Sequence, residues 1–137
     1  MATLTDILPE LTGMIVVTIP SEVSHLVVRR SMALATTLQL PVLGLIENMV
    51  GYACASCETL GELFSPGQGQ ALARDFGVAF LGEIPFDPRL ARSGDSGMPF
   101  AALHADTAVG QVFRSIAMGL LARARGQGSA GVWKGGT

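Results

Sequence analysis

The chain has 137 residues, of which 49% are hydrophobic, 15% charged and 6% aromatic. That length fits one domain, and the composition excludes both an intrinsically disordered chain and a solvated helical rod. The formal charge is −2 with no basic stripe, which removes electrostatic support for nucleic-acid binding.

The longest uncharged run, Ser31 to Ile46, is broken by Pro41 and falls short of the about 20 residues that a membrane span needs. Asp6 and Glu10 stand where a signal peptide would be basic. A cytoplasmic chain without a membrane partner is therefore expected. Cys54 and Cys57 are too close together to form a secreted disulfide framework.

In chain order, Gly13 to Ile19 (GMIVVTI) is continuously apolar and β-branched, the pattern of a strand buried on both faces of a parallel sheet. Pro20 ends it. Ser21 then caps a helix expected to reach about Gln39, with Val23, Leu26, Val27, Leu34 and Leu38 on one broad apolar face. Val42 to Glu47 is a second buried strand. Asn48 to Gly67 has no sustained period and holds both cysteines, so it reads as a long functional loop. Gln68 to Phe76 is expected to be a short helix closed by Gly77.

Val78 to Ile84 reads as a third strand, and Pro88 suits the first turn of a short helix through Ser93. After a Gly/Pro-rich connection, Gly94 to Pro99, the last helix is expected over Ala108 to Arg125. Asp106 or Thr107 caps it, and Val109, Phe113, Ile116, Leu120 and Leu121 form its apolar stripe. The domain then spans residues 1–125, followed by a Gly-rich, disordered tail over 126–137.

This order predicts an α/β fold, a partial parallel sheet of about three strands with flanking helices. Ligands in such sheets bind at the carboxyl ends of the strands. Three strands leave an open edge unless another polypeptide pairs with it, so the chain reads as half of a fold.

Three strand-end segments could carry chemistry. Cys54-Ala-Ser-Cys57 supplies two thiols that together grip a soft metal ion or the irons of a cluster. A thioredoxin-like pair would open a helix, whereas these cysteines sit among Gly and Ser. A structural zinc site wants four ligands, and there is no second CxxC; His25 and His104 are distant in sequence and suit surface or capping roles. The pair is thus half a site completed by a second subunit, or two ordinary thiols. In Glu47-Asn48-Met49, Asn48 offers a donor and an acceptor suited to an adenine edge, or simply caps a turn. Pro85-Phe86-Asp87 is a stiff wall for a ligand, or a plain connection. A phosphate-binding P-loop needs a Gly-rich turn and a Lys before a helix. The single Lys, Lys134, has neither strand before it nor helix after it, so these residues alone are not expected to hydrolyse ATP.

Taken in order, VVTIPSEV, VRRSM, LPVLGLIENMVGYACASC, LGEIPFDPRLARSGDSGMP and FRSIA resemble the C-terminal half of the Mrp/ApbC-type iron–sulfur cluster carriers, in the MinD/ParA-like branch of the P-loop ATPases. The resemblance runs from about Leu8 to Arg123. It implies a homodimer that assembles a four-iron four-sulfur (4Fe-4S) cluster between its subunits and passes it to apo iron–sulfur proteins. Carried over by position, Cys54 and Cys57 are the metal ligands. Asn48 contacts the adenine of ATP, and Pro85, Phe86 and Asp87 line the same pocket. The family's phosphate-binding and switch segments lie upstream of the matching region, so a separate N-terminal ATPase half is an implied partner. This chain has Ala55 where the family has Pro, and Val27 where the family commonly has Asp. A different class of reading is a protein-interaction module whose CxxC loop binds zinc or nothing.

Overall fold

The computed structural model describes residues 11–57, 59–62 and 68–127. Strand β1 (Met14–Thr18) is followed by helix α1 (Glu22–Thr37), strand β2 (Val42–Ala53) and the two-residue strand β3 (Leu60–Gly61). Helix α2 (Gly69–Asp75), strand β4 (Phe80–Phe86) and helices α3 (Pro88–Ser96), α4 (Phe100–Leu103) and α5 (Ala108–Gln127) complete the order. β2 is central, with β1 and β4 parallel to it on its two sides. β3 pairs antiparallel with the far end of β2, so the sheet is mixed and has four strands. The tail expected over 126–137 starts two residues too early, since Gly126 and Gln127 continue α5; the rest lies outside the described residues.

β2 is apolar throughout its first half because both faces are covered. Leu45 joins Val16, Val28, Met32, Leu72 and Ala73 beneath α1 and α2. Its neighbour Ile46 joins Ile84, Phe100, Val109 and Ile116 beneath α4 and α5. The strand periodicity of two thus turns one apolar run into two separate cores.

β1 departs from the expectation of burial on both faces. Val16 and Thr18 are buried towards α1, whereas Ile15 and Val17 are 39% and 57% exposed. Val17 pairs with Ile46 and so lies on the α5 side of the sheet, but α5 packs on β2 and β4. Among the described residues nothing covers that face, and β1 has no strand on its outer edge.

α1 begins where expected, with the Ser21 hydroxyl accepting the Ser24 amide at 3.1 Å. Its orientation reverses the expected one. Val28, Met32 and Ala35 meet the sheet, and the stripe of Val23, Leu26, Val27, Leu34 and Leu38 is exposed. The helix carries apolar residues on two faces, and the sheet can accept only one.

The remaining boundaries shift by local chemistry. β4 runs through Pro85 because its outer edge has no partner strand among the described residues, so the missing amide breaks no ladder bond there. α3 continues past Ser93 to Ser96 and stops at Gly97, which takes the left-handed conformation at φ 68°. α4 was not expected from the sequence. The hydroxyl of Thr107 caps α5, accepting the Gly110 amide at 3.1 Å and donating to the His104 carbonyl at 2.8 Å. A Cβ at Gly110 would run into that same His104 carbonyl oxygen. Gly110→Ala is therefore expected to lower unfolding stability by about 3 kcal/mol, the upper end for overpacking because the obstacle is backbone, as read from urea unfolding.

Candidate functional site

Within the segment expected to be an irregular loop, residues 48–53 and 60–61 are strand. β2 continues six residues beyond Glu47 to Ala53, so Asn48 lies within the strand rather than after it. The continuation is hidden in the sequence by a bulge. Asn48 pairs with Ile84 and Tyr52 with Phe86, so four steps along β2 match two along β4. Met49 and Gly51 absorb the excess with φ of 61° and 78°. At Gly51 only glycine fits, because a Cβ would lie 2.7 Å from the Gly61 carbonyl oxygen.

Beyond the bulge, Tyr52 and Ala53 pair with Gly61 and Leu60 to form a β-hairpin. The Cys54 amide closes its loop on the Thr59 carbonyl at 3.0 Å. Cys54 and Cys57 therefore stand at the tip of a hairpin projecting from the carboxyl end of the central strand. Neither is in a disulfide; Cys54 is half-buried and Cys57 exposed, its thiol donating to the Thr59 hydroxyl at 3.2 Å. Among the described residues no group of three or more His, Cys, Asp or Glu is placed to hold a metal ion. The described residues thus place two thiols in one hairpin loop.

The second expected cluster is brought together by the register of β2 and β4. Asn48 is half-buried opposite Ile84, its side-chain oxygen accepting the Met49 amide at 2.9 Å. Pro85 and Phe86 follow at the next step, and the Phe86 ring stacks on Tyr52 at 6.2 Å between centroids. That stack joins the proline-stiffened segment to the base of the cysteine hairpin.

Asp87 is held differently from an open pocket wall. Its buried carboxylate caps α3 by accepting the Arg89 amide at 2.9 Å. The Arg89 side chain also grips it, with Nε 3.0 Å from both oxygens and Nη2 2.7 Å from Oδ2. The Arg89 hydrogen bonds hold this carboxyl below its ordinary pKa against the opposing effect of burial, with smaller help from the charges of Arg89 and His104.

Glu47 received no role from the sequence alone. It is fully buried, and both its oxygens accept the Gly69 amide at 3.1 Å, while His25 Nε2 lies 3.3 Å from Oε1. The signal was a single charge inside an otherwise apolar strand, which must find partners when buried.

A central strand flanked by parallel neighbours, a strand-end cluster and a hairpin bearing two thiols are the features to set beside known proteins. The family model described as NUBPL iron-transfer P-loop NTPase (ParA) matches residues 1–121, and the chain belongs to that family. It is 39% identical over 112 residues to an iron–sulfur cluster carrier protein of Saccharolobus solfataricus, covering 82% of this chain and 38% of that protein. It is 43% identical over 97 residues to the cytosolic Fe-S cluster assembly factor NBP35 of Eremothecium gossypii, covering 69% of this chain and 29% of that protein. A nucleotide-binding protein of Archaeoglobus fulgidus, solved in complex with ADP and with Co, superimposes with a TM-score of 0.54 at 33% identity. That likeness covers 63% of this chain and 35% of that one. The chain spans well under half the length of these relatives. It shares with the iron–sulfur carriers the segment that bears the cysteine pair, and no helix among the described residues is long and apolar enough to cross a membrane.

Proposed function

We propose that this chain carries a 4Fe-4S cluster between two copies of itself and delivers it to apo iron–sulfur proteins in the cytoplasm. Cys54 and Cys57 of each protomer supply two ligands. The observation that carries this reading is the thiol pair at an accessible hairpin tip, with no further ligands nearby among the described residues. Two thiolates satisfy half of a four-thiolate cluster, so a second copy completes the set. Placement at a projecting tip favours both dimer formation around the cluster and its release to an acceptor.

Asn48, Pro85, Phe86 and Asp87 border the adenine side of an ATP site at the strand ends. A separate N-terminal ATPase half supplies the phosphate side. The edge of β1, which has no partner strand among the described residues and has Ile15, Val17 and Ile19 exposed beside it, is where that half adds a strand and covers the apolar face.

Anaerobic reconstitution with iron and sulfide, followed by size exclusion and metal analysis, tests the reading. The expected product is a coloured dimer with about four irons per two chains. A colourless protein that retains zinc would replace the carrier with an interaction module built on the same hairpin.

A further inference from the structure

We propose that Glu47 is a positioning residue for the cysteine hairpin, clamping the point where residues 48–68 return to the sheet onto the point where they leave it. The inference rests on the carrier reading for its functional consequence, but its structural content stands by itself. Glu47 is the last residue but one of β2 to pair before the bulge, and Gly69 is the first of α2. Between them the chain makes one excursion, out along the bulged strand, around the cysteines and back through β3. Both ends of that excursion meet at one carboxylate.

The fit at this junction is close. A Cβ on residue 69 would lie 2.9 Å from the Cβ, Cδ and Oε2 atoms of Glu47. Only glycine lets the start of α2 press its amide between the two carboxylate oxygens. His25 reaches the same group from α1, so three elements converge on it. A carboxylate is not needed to fill this space, since β2 supplies Leu45 and Ile46 at the preceding positions. Burying a charge costs desolvation, which its partners here offset without adding to the apolar core. What the carboxylate adds is direction. It accepts one particular amide and fixes the register of α2 against β2.

Without the clamp, the junction with α2 loses its side-chain anchor, the described part of the excursion is held by the pairing of Tyr52 with Phe86 and of β3 with β2, and it opens more often. The geometry of the thiol pair then fluctuates, and a cluster held between two such pairs is released sooner. The hydroxyl and amide bonds inside the hairpin would not compensate, because they lie beyond the open end.

The test uses the full chain. Glu47→Met keeps the volume and removes both acceptors, leaving the Gly69 amide buried and unpaired. Hydrogen exchange of residues 48–57 and 69–75 is expected to accelerate about five- to a hundredfold, with β1 and α5 unchanged. The reconstituted dimer should lose its visible absorbance faster to an iron chelator, and Glu47→Gln, which keeps an oxygen for Gly69, should restore most of both properties. If the Met chain does not fold, Glu47→Asp, whose carboxylate is withdrawn by one methylene, gives the same contrast. Unchanged exchange in the hairpin, or equal acceleration in β1 and α5, overturns the proposal. If the wild-type chain takes up no cluster, the carrier reading fails, while the exchange comparison still decides the role of Glu47.

Discussion

Replacing Cys54 or Cys57 by Ser is expected to abolish retention of iron and sulfide while leaving the fold intact. Both residues stand in the hairpin loop and belong to neither core, so the near-isosteric change to Ser disturbs little packing. The chemical change is large. A thiolate is a soft anion available near neutral pH, whereas a serine hydroxyl stays protonated and is a poor ligand for cluster iron. In a dimer each substitution removes a ligand from both sides, leaving two where four are needed. Loss of outer-shell support alone costs about 10–100-fold in metal affinity, so loss of a ligand should cost at least that. Iron and acid-labile sulfide after anaerobic reconstitution, with circular dichroism as the fold control, measure the effect. Iron content unchanged in both variants would reduce Cys54 and Cys57 to ordinary thiols.

The second large effect is expected from Arg89→Ala, which strands the buried Asp87 carboxylate. The substitution removes three side-chain contacts and leaves only the cap bond from the backbone amide. Breaking a buried pair from one side costs about 3–5 kcal/mol, and the partial exposure of Arg89 places this case near 3 kcal/mol. The pH dependence follows from the depressed pKa of Asp87. A carboxyl whose pKa is lower folded than unfolded adds stability above its unfolded value. That stability is lost as pH falls through the folded value. Without Arg89, burial raises the folded pKa, so acid unfolding should begin at higher pH than in the wild type. Urea unfolding at neutral pH and an acid titration followed by circular dichroism measure the two effects. Superimposable acid transitions would show that the ion pair adds nothing to the fold.

Much of the candidate site is legible because the chemistry proposed for it depends on residue type. Two cysteines three apart, a charge and an amide at the end of an apolar strand, and a proline-stiffened segment after the next strand are visible without coordinates. Their geometry was less legible. The bulge at Met49 and Gly51 breaks the period of two, so the second half of β2 carries no strand pattern, and the hairpin was read as a loop. Pro85 argued for a strand end, yet an unpaired edge tolerates it. Asp87 read as a pocket wall, and only the approach of Arg89 along the first turn of α3 shows its carboxylate already engaged.

By itself the sequence determined the α/β class, the order of the parallel strands' crossovers, the cap at Ser21, the choice of Asp106 or Thr107 as the cap of α5, and the position of the two cysteines. These follow from local periodicity, backbone stereochemistry and side-chain donors, which act within a few residues. Tertiary structure alone decided which of the two apolar faces of α1 meets the sheet, because both have the right spacing and the choice depends on what β1 and β2 offer. It likewise decided that, among the described residues, nothing covers one face of β1 and that Glu47 closes on Gly69. Those outcomes are set by contacts between segments far apart in the chain, which no local pattern encodes.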